Sequence, residues 1–207
     1  MRVIAVTSRK GGTGKSTIAT HLSVAAGPKA ALIDTDDQAE EGSSSAWMQA
    51  RGDAPSPRFF SHDEFAGRGL DSVLEQCRSE RASHVIVDTA PKADAEVARV
   101  MSKSDAVVIV TEPAFFPLKA LARSIAIVRA ANKPFVIAVN KVHNSRRESR
   151  ETREALAGLG VPIVELANRV DLIRALAAGQ AVGEFSPRSE AAQEIAALWK
   201  AIQGVMK

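Results

Sequence analysis

Val3-Ile4-Ala5-Val6-Thr7-Ser8-Arg9-Lys10-Gly11-Gly12-Thr13-Gly14-Lys15-Ser16-Thr17 reads as an apolar strand, a glycine-rich turn and the opening of a helix. A bound phosphate needs several N–H donors converging on one point. Glycines let the backbone curl around it without side-chain obstruction. The helix start adds partial positive charge. In such a turn Lys15 reaches the outer phosphates and the Ser16 hydroxyl is offered to Mg2+. Lys10, Gly11, Gly12, Thr13, Gly14, Lys15, Ser16 and Thr17 are therefore the candidate nucleotide-binding residues, with Lys15 also a candidate catalytic group.

Outward from this turn, short apolar runs alternate with longer amphipathic ones. Strands are expected over Val3–Thr7, Ala30–Asp34, Val85–Asp88, Ala106–Thr111, Phe135–Asn140 and Ile163–Glu165. Most lack period-two alternation, the pattern of strands covered on both faces. Helices are expected over Lys15–Ala26, Ser43–Arg51, Asp63–Arg78, Asp94–Lys103, Leu118–Ala131, Arg147–Leu159, Leu172–Ala178 and Ser189–Val205. Strand followed by helix, repeated, implies an α/β fold: a mainly parallel, doubly wound sheet with helices on both faces. Residues 1–207 read as one domain, and Arg51–Pro57 as a loop within it.

Composition narrows the class. Of 207 residues 45% are apolar and 25% charged, the balance of a soluble globular protein. No run of eighteen apolar residues offers a membrane span, and the N-terminus lacks the pattern of a signal peptide. Cys77 is the only cysteine, so no internal disulfide forms and the cytoplasm is the expected compartment. His21, His62 and His84 are too scattered for a metal site. Net charge is +3, with a local basic stretch at Lys141, Arg146, Arg147, Arg150 and Arg153.

Two further apolar strands end in carboxylates: Ile33-Asp34-Thr35-Asp36-Asp37-Gln38 and Val85-Ile86-Val87-Asp88-Thr89-Ala90-Pro91. At the C-terminal end of a strand in an open α/β sheet, side chains face the ligand crevice. A carboxylate at Asp88 suits a Mg2+-bound water.

The phosphate loop departs from the G-x-x-x-x-G-K-[ST] pattern, with Arg9 in place of the first glycine and Lys10 after it. With the two acidic strand ends, it resembles the deviant phosphate loop of the ParA/MinD family of partition and positioning ATPases, of the small ParA type. The resemblance covers nearly the whole chain and weakens after Asn140. It implies that Lys10 reaches the nucleotide of a partner subunit. It implies that Asp36 positions the attacking water, and that Asp34 and Asp88, with Ser16, serve the Mg2+ shell. The chain differs from the common family pattern at Asp37, where proline is frequent, and at Ala90 ahead of Pro91.

Phe135-Val136-Ile137-Ala138-Val139-Asn140-Lys141-Val142-His143 has part of the guanine-reading Asn-Lys-x-Asp motif. His143 stands where the aspartate that accepts guanine's paired donors is needed, so ATP is expected over GTP. By resemblance Asn140 reads the adenine. Arg169 falls where relatives place an arginine tied to non-specific DNA contact, and Arg146, Arg147 and Arg150 could add phosphate contacts. The same arginines, interleaved with Glu148, Glu151 and Glu154, also read as a solvated helix face.

The resemblance thus implies a Mg2+-dependent ATPase with slow basal turnover, an ATP-dependent homodimer and non-specific binding to duplex DNA. A ParB-like or other partner protein would stimulate hydrolysis. The expected task is segregation of plasmid or chromosomal DNA, or positioning of another bacterial cargo, at the nucleoid. The first strand begins at Arg2, so no separate N-terminal DNA-binding domain is expected. A membrane-positioning ATPase of the MinD kind and an ATP-dependent metabolic enzyme, such as a biotin-synthesis ligase, are the alternatives. The apolar stripe Ala191, Ile195, Leu198, Trp199, Ile202 and Val205 lacks a dense basic face, and packing inside the domain is expected rather than membrane binding.

Overall fold

Runs of Val, Ile and Ala without polar alternation need cover on both faces, and the chain supplies it. The computed structural model describes residues 1–36, 43–54, 56–91, 95–113, 115–143 and 145–207, with backbone only for 115–120. Its strands are β1 (Arg2–Thr7), β2 (Ala30–Asp34), β3 (Arg58–Phe60), β4 (His84–Asp88), β5 (Ala106–Thr111), β6 (Phe135–Val142) and β7 (Ile163–Ala167). They form one sheet in the order β3-β2-β4-β1-β5-β6-β7, every pair parallel. The expected α/β fold with a parallel sheet is what the chain adopts.

Successive strand residues point to opposite faces, and each face has its own core. Val3 and Ala5 join Phe65, Leu74, Val100, Ile125 and Leu156 on one side. That side is covered by α3 (His62–Arg68), α4 (Leu70–Ser79), α5 (Ala95–Lys103), α6 (Phe115–Ala130) and α7 (Arg147–Leu156). Ile4 and Val6 join Ile18, Leu22, Trp47, Leu172 and Leu198 on the other. There the cover is α1 (Lys15–Ala25), α2 (Ser44–Arg51), α8 (Val170–Ala177), α9 (Val182–Phe185) and α10 (Glu190–Val205). The stripe of the last helix lies inside this second core: Ala191, Ile195, Leu198 and Ile202 are buried. Cys77 is buried too, and burial pushes its thiol up to about 11.

Local signals explain where elements differ from the sequence expectation. The helix expected over Asp63–Arg78 is two helices, because Gly69 at φ +77° breaks the first. A capping box at Ser61 and Glu64 starts α3 one residue earlier. The edge strand β3 and the four-residue α9 are additions to the elements the sequence predicts. Asp94, placed in a helix by its sequence, lies outside the described residues.

His21 on α1 joins the two halves of the second core. Its Nδ1 accepts a hydrogen bond from the Val182 amide at 3.1 Å. Burial lowers its pKa from 6.5 to about 4, partly opposed by the Leu172 backbone and the Glu184 charge. The unfolded chain therefore takes up this proton at a higher pH than the folded one. Stability is full above the unfolded pKa and falls as pH drops toward the folded value. Urea unfolding at pH 7.5 and pH 5 measures it. Between those pH values the wild type is expected to lose about 2 kcal/mol more than His21→Leu, which cannot titrate. An equal loss in both proteins would place the acid sensitivity elsewhere.

Candidate nucleotide site

Parallel strands present their C-terminal ends together, and the loop after β1 sits among them. The turn is left-handed at Gly12 (φ +74°) and Gly14 (φ +87°), the conformations that glycine adopts without strain. Ser8 ties it down: its hydroxyl donates to the Lys10 carbonyl at 3.0 Å and accepts from the Thr13 hydroxyl at 2.9 Å. A Cβ at Gly11 or Gly12 would meet nothing within 4 Å. Residues Lys10 to Thr17 line one wall of a cleft of about 460 Å³, with Asp36, Ser43, Pro91, Lys141 and Ile173 opposite.

The acidic strand ends converge beneath this cleft. Asp34 and Asp88 are register partners on β2 and β4, and both are buried. Lys15 Nζ lies 3.5 Å from Asp88 Oδ1, with side-chain exposures of 7% and 0%. That oxygen has no hydrogen bond, whereas Oδ2 accepts from the Ser44 hydroxyl at 2.7 Å. Asp34 accepts from the Ser45 hydroxyl at 2.9 Å and from the Asp36 amide at 3.1 Å. Burial first, then the charge of Asp88, pushes the Asp34 pKa up. Two carboxylates this close hold an excess of negative charge that the Lys15 ammonium offsets in part.

Asn140, at the end of β6, is 5% exposed and donates its Nδ2 to the Thr13 carbonyl at 2.8 Å. It thus braces the loop from the side. A Cβ added to Gly14 would lie 2.2 Å from that same nitrogen. Lys141, at φ +57°, reaches back to the Gly12 carbonyl at 2.6 Å and to Glu112 at 2.6 Å. Glu112 also receives Lys10 at 3.5 Å. Lys10 and Lys15 are therefore disposed differently: Lys15 is buried against Asp88, while the Lys10 side chain is 62% exposed.

The residues present suit a nucleotide carrying Mg2+. The orphaned buried oxygen of Asp88, two strand-end carboxylates and the Ser16 hydroxyl are hard oxygen donors. Among the described residues no three His, Cys, Asp or Glu side chains form a metal cage. Asp37 and Gln38 lie outside the described residues.

The basic candidates are separate from the cleft. Arg169 caps α8 and is held by Glu190 and by Glu194, the latter at 2.8 Å. Arg147 pairs with Glu151 at 2.6 Å. Arg146 and Arg150 are exposed and form no ion pair among the described residues. Four site residues escape sequence reasoning. Ser44 and Ser45 carry no motif, Glu112 is remote in sequence, and Lys141 reads there only as part of a guanine signature.

A glycine-rich phosphate loop between the first strand and first helix of an all-parallel sheet defines a P-loop nucleotide-binding ATPase fold. The chain belongs to the CobQ/CobB/MinD/ParA nucleotide-binding domain family, which it matches over residues 4–182. It is 32% identical over 169 residues to the maintenance of carboxysome distribution protein A of Gloeobacter kilaueensis, covering 79% of this chain and 74% of that one. Its fold is similar to a chain of the MinC:MinD cell division protein complex of Aquifex aeolicus, with a TM-score of 0.77 at 18% identity, covering 99% and 96% of the two chains. It is also similar to the ATP complex of a point variant of Cyanothece McdA, with a TM-score of 0.74 at 15% identity over 98% and 96%.

Gly14→Ala tests the loop geometry. The added methyl requires a strained left-handed residue and displaces a buried, bonded amide. Nucleotide affinity measured by calorimetry is expected to fall about 100-fold or more, with an unchanged far-ultraviolet circular dichroism spectrum. Wild-type affinity in this variant would mean that the loop does not hold phosphate in this conformation.

Proposed function

We propose that this chain is an ATP-driven dimerising switch that partitions DNA or positions another large bacterial cargo, and that its ATP state binds duplex DNA without sequence preference. The observation that carries this reading is the opposite disposition of the two loop lysines. Buried Lys15 serves the outer phosphates of its own nucleotide. Lys10 is exposed and rests on Glu112; in this reading it leaves its own chain to meet the nucleotide of a second copy. Two facing triphosphates repel each other, and a lysine from each side offsets part of that repulsion.

Within this reading Gly11, Gly12, Thr13, Gly14, Ser16 and Thr17 wrap the phosphates, and Asn140 faces the adenine. Asp36, on the wall of the cleft, positions the attacking water. Ser16, Asp34 and Asp88 would hold Mg2+, which supplies charge neutralisation at the phosphates when bound. Slow basal turnover keeps the dimer assembled until a ParB-like or other partner protein stimulates hydrolysis. The name of the Gloeobacter relative supports a protein-bodied cargo as well as DNA. Cytoplasmic, nucleoid-associated residence follows from the same reading. Among the described residues no helix is long and apolar enough to cross a membrane.

For DNA contact the ion pairs reorder the candidates. Arg169 must leave two glutamates before it reaches a phosphate, whereas Arg146 and Arg150 need not. Arg147 gives up only an exposed pair of small value.

The test joins light scattering with a salt titration of fluorescent random-sequence DNA, using a non-hydrolysable ATP analogue. The wild type is expected to dimerise and bind DNA, with affinity falling at a slope of about −0.9 per phosphate contact. Lys10→Ala is expected to bind nucleotide yet remain a monomer and lose DNA binding. Arg150→Ala should dimerise normally and show a shallower salt slope. A normal Lys10→Ala dimer would remove the role given to Lys10. A wild-type dimer that ignores DNA at low salt and sediments with anionic liposomes would replace DNA with membrane as the working surface.

A further inference from the structure

Asp88 and Asp34 each give one oxygen to α2. Consecutive residues in its first turn make the two bonds, Ser44 to Asp88 at 2.7 Å and Ser45 to Asp34 at 2.9 Å. Ser44 is fully buried and Ser45 half-buried, so neither bond is a solvent accident. Ser44 engages Oδ2 of Asp88, and Ser45 with the Asp36 amide engages both oxygens of Asp34, so either carboxylate gives up a serine bond if it turns toward a cation-bound water. A lone pair directed at a serine proton is not available in the same direction to another donor.

The helix carrying these hydroxyls is tied to elements far from it in sequence. Trp47 Nε1 donates to the Gln180 carbonyl at 3.2 Å. Arg51, its side chain 6% exposed, lies 5.0 Å from the Trp47 ring centroid and pairs with both oxygens of Glu184 at 2.8 Å. It also donates to the Gly179 carbonyl at 2.9 Å. Gly179 is at φ +65°, and a Cβ there would lie 2.4 Å from the Ala50 carbonyl oxygen, so the backbones of the two segments touch. Helix α2 is thereby fastened to the α8–α9 turn. On the far side of that turn, α8 exposes Val170 at 59% and Ile173 at 65%, and Ile173 borders the nucleotide cleft.

We infer that Ser44 and Ser45 are positioning residues that hold Asp88 and Asp34 in the nucleotide-free protein and yield them when a Mg2+-nucleotide enters, and that Trp47 and Arg51 carry the release to α8 and α9. The inference rests on the phosphate-loop reading of the cleft. It makes α2 the element that reports the state of the carboxylates to the surface bearing Val170 and Ile173. The two hydroxyls then act as competitors of Mg2+: they hold the carboxylates and set the cation concentration at which the cation takes their place.

The experiment is a Mg2+ titration of binding of a slowly hydrolysed fluorescent ATP analogue, with Trp47 emission followed in parallel using unlabelled analogue. Trp199→Phe leaves Trp47 as the only tryptophan. In that background Ser44→Ala and Ser45→Ala are each expected to lower the half-saturating Mg2+ concentration about tenfold, the weight of one hydrogen bond to a charged acceptor. The Mg2+-induced change in Trp47 emission should shrink to roughly half or less, because one of two restraints has already gone. Ser45→Thr, which keeps the hydroxyl, should titrate like the parent. Purely structural serines would shift the unfolding midpoint and leave the Mg2+ midpoint in place, and that result overturns the inference. An altered Mg2+ midpoint with an unchanged Trp47 response overturns the link to α8 and α9. If Ser44→Ala does not fold, Ser45→Ala decides alone. A parent protein that binds no nucleotide at any Mg2+ concentration defeats the phosphate-loop reading and the exchange with it; nucleotide binding with unshifted midpoints defeats the exchange alone.

Discussion

Asp88 has no exposure to water, and the ammonium of Lys15 stands 3.5 Å away. A buried carboxylate is tolerated only when a countercharge and hydrogen bonds replace its lost hydration. Lys15 gives the countercharge, and the Ser44 hydroxyl satisfies one oxygen. The rest of the site depends on this pair. It joins the end of β4 to the first residue of α1, and so fixes the phosphate loop relative to the sheet. Asp88 is also the register partner of Asp34, which places both carboxylates on one side of the strand ends. A one-residue slip between β2 and β4 would turn one of them to the opposite face.

That register is held by the two cores. Val85 and Val87 pack on one side of β4 and Ile86 on the other, all without exposure. Strands covered on both faces cannot slide without moving a whole set of apolar side chains. The charged site is therefore carried on the least deformable part of the molecule, whereas its other partners lie on α2, α8 and the end of β6. Glu112 illustrates the division. It stands just after β5 and collects Lys10 and Lys141, so two long-stemmed cations share one anchored carboxylate.

Much of this was legible in the sequence because chemistry and local geometry coincide there. The span from Val3 to Thr17 contains an apolar strand, glycines at the left-handed positions and a lysine at the helix start, each pointing to the same turn. Uninterrupted Val and Ile runs marked the parallel strands for the same reason. What escaped depends on contacts remote in sequence. β3 has three residues and follows Pro57, so its pairing with Ala31–Ile33 carries no periodic signal. The break at Gly69 was hidden because Leu70, Val73 and Leu74 continue an apolar pattern. Ser44 and Ser45 look like ordinary helix-start residues until Asp88 and Asp34 are seen beneath them. Arg169 fits a basic surface by sequence, yet its glutamate partners come from α10, well over a helix length away along the chain.

The central claim is that the buried ammonium of Lys15, paired with Asp88, is the charge that receives a nucleotide's outer phosphates. Calorimetric titration of the protein with a non-hydrolysable ATP analogue and Mg2+ tests it most directly, with Lys15→Ala beside the wild type. The account predicts one nucleotide per chain in the wild type and no measurable binding in a folded Lys15→Ala protein. Equal affinity in the two proteins, or no heat from the wild type at millimolar nucleotide, would contradict it.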